Sequence, residues 1–113
     1  MFAMKKEFIS TSIFDRGWDN LNLTDEDLRE LQNFIMRNPS AGDVIVKTGG
    51  AKKIRYALPG KGKSSGVRVI FTDITNKNRI YLLLCYGKSE QDDLTDIQKK
   101  QLEKLIRTIK GVI

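Results

Sequence analysis

Apolar residues along this chain recur with two periods, and each period marks out its own kind of element. Thr24-Asp25-Glu26-Asp27 opens a stretch in which Leu28, Leu31, Phe34 and Ile35 fall at helical spacing, giving one apolar stripe. Thr24 is a good N-cap, and the acids occupy the first turn, where the helix dipole favours negative charge. Asn38-Pro39 stops that helix. A second helical stripe, Leu102, Leu105, Ile106 and Ile109, follows Thr95-Asp96-Ile97-Gln98, which has the form of a capping box. The opposite face of that helix carries Lys99, Lys100, Lys104 and Lys110.

Between the two helices the period is two. Lys52 to Ala57 reads as a strand, with Lys53 and Arg55 on one face and Ile54 and Tyr56 on the other. Val67 to Thr72 is the next, with Val67, Val69 and Phe71 on one face and Arg68 on the opposite one. Thr75 to Lys77 reads as a hairpin turn. Arg79 to Tyr86 is apolar on both faces, as expected of a central strand, and Gly87 ends it. Glu7 to Ile13 reads as a short first strand, and Trp18 is expected to pack near the first helix. A further short strand is expected within Ala41 to Thr48, before a Gly49-Gly50 turn. Pro59 to Gly66, with three glycines and two serines, is a loop. The pattern predicts an α+β domain, an antiparallel sheet core with an N-terminal helix and a C-terminal helix packed on it. The chain's 113 residues are the size of one domain, 1–113.

Composition narrows the chemistry. Histidine is absent and Cys85 is the one cysteine. Ser-His-Asp and Cys-His machinery are therefore impossible, as is a His-paired general acid and base. A zinc site built from carboxylates alone is improbable, so no metal and no cofactor is expected. An internal disulfide needs two cysteines, so a reducing compartment is the natural reading. The longest apolar stretch, Ile80 to Tyr86, has seven residues, against about 20 for a membrane span. Lys5, Lys6 and Glu7 lack the apolar run of a signal peptide behind them. The expectation is a cytoplasmic protein with no membrane partner.

Charge is localised. The formal net charge is +6, yet Val44 to Thr72 holds seven of the 20 Lys and Arg residues and no acid. Those seven are Lys47, Lys52, Lys53, Arg55, Lys61, Lys63 and Arg68. The rest of the chain carries 13 basic and 14 acidic residues. A basic block on an otherwise balanced domain is the footprint of a polyanion partner, or of an acidic protein surface. Lys53 and Arg55 project from one strand and Arg68 from the next. Tyr86 and Lys88 close the third, beside the loop lysines. Such a surface suits RNA cleavage by the 2′-OH, in which cations hold the extra charge of the phosphorane. A lysine among cations is a candidate base, and Tyr86 a candidate for base stacking or proton transfer. The bland alternative is a solvated strand face. Gly60-Lys61-Gly62-Lys63 has phosphate-loop glycines but not the Walker spacing before a helix. Cys85, inside an apolar strand, reads as core.

These residues also form a familiar order. Gly49-Gly50-Ala51-Lys52-Lys53-Ile54-Arg55 is followed by Gly60-Lys61-Gly62-Lys63-Ser64-Ser65-Gly66-Val67-Arg68-Val69-Ile70-Phe71, then Tyr81 to Glu90 and Asp93-Leu94-Thr95. This resembles the RelE/HigB superfamily of type II toxins, in its HigB-like branch of mRNA interferases, from about Asn38 to Leu105. The resemblance implies a RelE-like fold and a metal-independent endoribonuclease that cuts mRNA in the A site of the 30S subunit. It implies a cognate antitoxin, typically with a helix-turn-helix domain, through which alone operator DNA is met. The family's Lys-x-Lys strand falls on Lys53 and Arg55, its phosphate-stabilising arginine on Arg68, and its Gly-Lys pair on Gly87-Lys88. With Tyr86 these make the catalytic set, and Lys52, Lys61 and Lys63 are the RNA-binding set. RelE proper has an arginine after that Gly-Lys, where Ser89 stands, and a functional tyrosine in the segment that here reads Glu90-Gln91-Asp92-Asp93-Leu94. ParE-type members share the fold and poison gyrase instead, so a non-nucleolytic toxin or a basic RNA- or ribosome-binding module are the alternatives.

Overall fold

The computed structural model of the chain describes residues 6–57, 66–88, 90–91 and 93–111. In chain order the elements are β1 (Glu7–Ser10), α1 (Ser12–Asn20), α2 (Asp25–Arg37), β2 (Asp43–Val44) and β3 (Lys52–Tyr56), followed by β4 (Val67–Ile74), β5 (Arg79–Gly87) and α3 (Asp96–Lys110). The strands form one sheet in the order β1-β5-β4-β3-β2. The antiparallel core expected from the pattern is present, from β2 to β5. The sheet as a whole is mixed, because β1 pairs parallel with β5. No helix among the described residues is long and apolar enough to cross a membrane.

The helix starts follow side-chain chemistry. Thr24 accepts from the Asp27 N–H at 3.1 Å while Asp27 accepts from the Thr24 N–H at 3.0 Å, closing a capping box on α2. Thr95 and Gln98 do the same for α3, at 3.1 and 2.9 Å. The sequence pattern missed α1, a nine-residue helix whose start it assigned to the first strand. Thr11 caps α1 by accepting from Phe14 N–H at 2.9 Å, and its hydroxyl donates to the Leu83 carbonyl at 2.8 Å. Gly17 lowers the helix propensity of α1, but the packing needs it. A Cβ there would stand 2.7 Å from the Cys85 carbonyl oxygen. The poor helix former is what lets α1 lie against β5.

Two cores result, one on each face of the sheet. On one face Phe14 and Trp18 of α1 and Leu31 and Ile35 of α2 pack over Ile54, Val69, Leu82 and Cys85. The Phe14 and Trp18 rings stack with centroids 5.6 Å apart, and Trp18 Nε1 donates to the Thr24 carbonyl at 3.0 Å, tying α1 to the start of α2. On the other face Leu102 and Ile106 of α3, with Leu94 before it, cover Ile70, Leu83 and Tyr86. A bulge serves both cores. The β4–β5 register steps from Ile70↔Leu84 to Phe71↔Leu82, leaving Leu83 as the extra residue. Leu83 can then face α3 although Leu82 and Cys85 both face α1 and α2. Leu105, expected in the apolar stripe of α3, is 37% exposed, so the buried stripe of that helix is narrower than the sequence suggests. Burial pushes the Cys85 thiol up to about 12, aided by Glu90 and Asp15, in keeping with a core residue.

Candidate nucleic-acid interface

Strand pairing brings the expected cations into register. Arg55 of β3 lies directly opposite Arg68 of β4, and Arg68 lies directly opposite Tyr86 of β5. Opposed residues share a sheet face, so Arg55, Arg68 and Tyr86 form one row across three strands, each step about 5 Å. Lys53 lies two residues along from Arg55, on the same face, opposite Ile70. The row runs along the α3-side face from exposed Arg55 to Tyr86, which α3 covers.

Exposure grades along the row. Arg55 is exposed, Arg68 is 7% exposed and Tyr86 is 3% exposed. Arginine keeps its charge in any such setting. Two guanidinium groups directly opposed across a ladder repel, which costs stability. A Cβ added at Gly66 would lie 3.4 Å from Arg68 Nη1, so the guanidinium reaches along its own strand toward the start of β4. At that end the Lys88 N–H meets the Gly66 carbonyl at 3.4 Å, and Lys88 itself is exposed in the turn after β5. A Gly87 N–H to Glu90 Oε1 bond of 3.2 Å holds that turn.

Lys53 is engaged by an acid to which the sequence reading gives no role in the site. Its Nζ donates to Asp93 Oδ1 at 2.9 Å, and by register Asp43 of β2 stands opposite it as well. Asp93 itself is well exposed, but its backbone is fixed. Gln91 Nε2 donates to the Asp93 carbonyl at 2.9 Å and to Gln98 Oε1 at 3.0 Å, and Leu94 is anchored in the α3-side core. The hydrogen bond from Lys53, with that residue's charge, holds the Asp93 carboxyl below the ordinary aspartate value; Arg55 and Lys99 add to this and desolvation opposes it. As an ion-paired ammonium, Lys53 stands in the site as a cation. The pair's contribution is complete above the ordinary aspartate value and is lost as pH falls through the depressed one. A carboxyl-carbon NMR titration should show Asp93 titrating below ordinary aspartate, and Lys53→Ala should move it back up. An unchanged midpoint in the variant would contradict the pairing.

The other candidates divide. Lys52 shares a strand with Lys53 but points to the opposite face. Its Cβ lies 3.3 Å from where a Gly42 Cβ would stand, beside Ile54 on the α2 side. It is therefore separated from the row, because period two sends neighbouring residues to opposite faces. Tyr86 is correctly placed at the end of the row, but base stacking is closed to it, since its ring lies in the core under α3. Lys61 and Lys63 lie outside the described residues. Asp93 left no local signal, since its contact with Lys53 spans 40 positions and is made by the fold.

Comparisons with known proteins speak to the family and the fold. The family profile described as RelE toxin of the RelE/RelB toxin–antitoxin system matches residues 6–112. Two solved structures of E. coli RelE align over nearly the whole fold. One, a double arginine-to-alanine variant in the free state, is 16% identical with a TM-score of 0.51, covering 92% of this chain and 98% of that chain. The other, the isolated toxin in its P21 form, is 12% identical with a TM-score of 0.50, covering 88% and 98%. At those identities the structures speak for the fold, and the profile, spanning nearly the whole chain, speaks for the family: this chain belongs to the RelE toxin family of toxin–antitoxin systems.

Proposed function

We propose that this toxin is a ribosome-dependent endoribonuclease that cuts mRNA in the A site and so arrests translation. The observation that carries the reading is the direct opposition of Arg55 and Arg68 across the β3–β4 ladder. Two cations directly opposed on one face present adjacent charge and donors to an anion lying across the ladder. A phosphodiester has the charge and the oxygens that two guanidinium groups match. As the 2′-oxygen bonds to phosphorus, the P–O5′ bond breaks. The products are a 2′,3′-cyclic phosphate and a 5′-hydroxyl. Charge on the non-bridging oxygens rises along the way, where Arg55 and Arg68 hold it, with Lys53 and Lys88 at either side. The proton leaves the 2′-oxygen and the departing 5′-oxygen gains one. No histidine is available for either transfer.

Lys53 must exchange its Asp93 partner for the phosphate, which the pair permits because its Asp93 carboxylate is 80% exposed and solvent-screened pairs contribute little. The message needs in-line geometry at the scissile phosphate, and a ribosome-bound codon supplies it. The same reading makes the protein cytoplasmic, with a cognate antitoxin as its partner. Cleavage of a defined message with and without ribosomes tests it. A whole message in both, with growth arrest in cells, would favour a non-nucleolytic toxin of the same fold.

A further inference from the structure

A groove on the α2 side of the sheet meets the cation row at Arg55 and has a different chemistry. It is an open groove of about 690 Å³ between α2 and the end of β3, lined by Glu30, Asn33, Phe34 and Arg37 together with Arg55 and Tyr56. The four α2 residues fall at i, i+3, i+4 and i+7, so one stripe of the helix forms a whole wall. Arg55 belongs both to this groove and to the row with Arg68. The row lies on the α3 side of the sheet and the groove on the α2 side, and they meet at Arg55, on the β3 edge beyond the two residues that β2 pairs. A chain with one phosphate on the row reaches the groove by turning over that edge.

The lining fits a base and its flanking phosphate. The rings of Phe34 and Tyr56 are 5.2 Å apart and inclined at 51°, which fixes the floor, and Phe34 remains partly exposed as a stacking surface. Arg37 and Arg55 are exposed cations at its margin. Asn33 offers both a donor and an acceptor, and the Glu30 carboxylate only acceptors. Burial, followed by the charge of Glu30, raises the Tyr56 hydroxyl above its ordinary value, so it stays protonated as a donor. A carboxylate here repels phosphate and accepts from N–H groups, the pairing that carboxylates make with the cytosine amino group. A purely electrostatic RNA track would have no use for it.

We infer that this groove is a base-reading subsite, in which Glu30 and Asn33 select the mRNA nucleotide next to the scissile phosphate for N–H donors on its base edge. The inference rests on the cleavage reading above and assigns sequence preference to α2. Its test is to map cut sites along a message with varied codons on purified ribosomes, for the wild type, Glu30→Gln and Asn33→Asp. Both side chains are exposed and both changes are near-isosteric, and thermal melting checks the fold. The expected result is a redistribution: the ratio of cutting at preferred to disfavoured codons falls by about tenfold in Glu30→Gln, the scale of one base contact. Asn33→Asp should redistribute the cuts differently. Unchanged ratios in both folded variants would overturn the subsite and leave the cleavage reading standing. A wild type that leaves the message whole would overturn the cleavage reading, and the subsite with it.

Discussion

Replacing Arg68 with alanine is expected to lower single-turnover mRNA cleavage by about 10²–10³-fold, the cost of removing one positioned donor from a developing anion. Arg68 is the central member of the row, opposite Arg55 on one side and Tyr86 on the other. Being 7% exposed, it works in a setting screened from water, where its charge counts for more. Arg68→Lys should recover only a small part of the rate, since a point charge does not reproduce the planar fork. The fold should survive, because β4 is paired on both sides. Melting curves of the variants check that point. Cleavage within threefold of wild type by a folded Arg68→Ala protein would remove the arginine from the mechanism.

The second large effect is on stability. Phe14→Ala should destabilise the protein by about 3–5 kcal/mol, the usual cost of deleting a buried phenylalanine. Against a typical total of about 5–15 kcal/mol this is a large fraction. Phe14 is fully buried, stacks on Trp18, and its carbonyl accepts from Cys85 Sγ at 3.5 Å. It thus fastens α1 to β5, the strand that carries Tyr86. Urea unfolding measures the loss. A change below about 1 kcal/mol would mean that α1 is peripheral to the fold.

The site and the fold were legible to different depths. Lys53 and Arg55 could be placed on one face and Ile54 and Tyr56 on the other because a strand's period admits one answer. Both long helices announced themselves through Thr24 and Thr95, whose caps are local. α1 was hidden because Gly17, Asp19 and Asn20 weaken a helix that, beyond its Thr11 cap, depends on packing against β5. The parallel pairing of β1 with β5 and the Leu83 bulge are tertiary choices with no local code. The same holds for the burial of Tyr86, which depends on where α3 comes to rest. The ion pair of Lys53 with Asp93 is of that kind too. In each case the residue type was readable, and its partner was decided by the fold.

The central claim is that the opposed arginines cut ribosome-bound mRNA. Primer extension on a defined message in a purified translation system, with and without ribosomes, tests it most directly. The account predicts new 5′ ends within the A-site codon in the ribosome-containing reaction only, with a 5′-hydroxyl on the downstream fragment. A message that stays whole on ribosomes in the presence of folded, growth-arresting protein would contradict it.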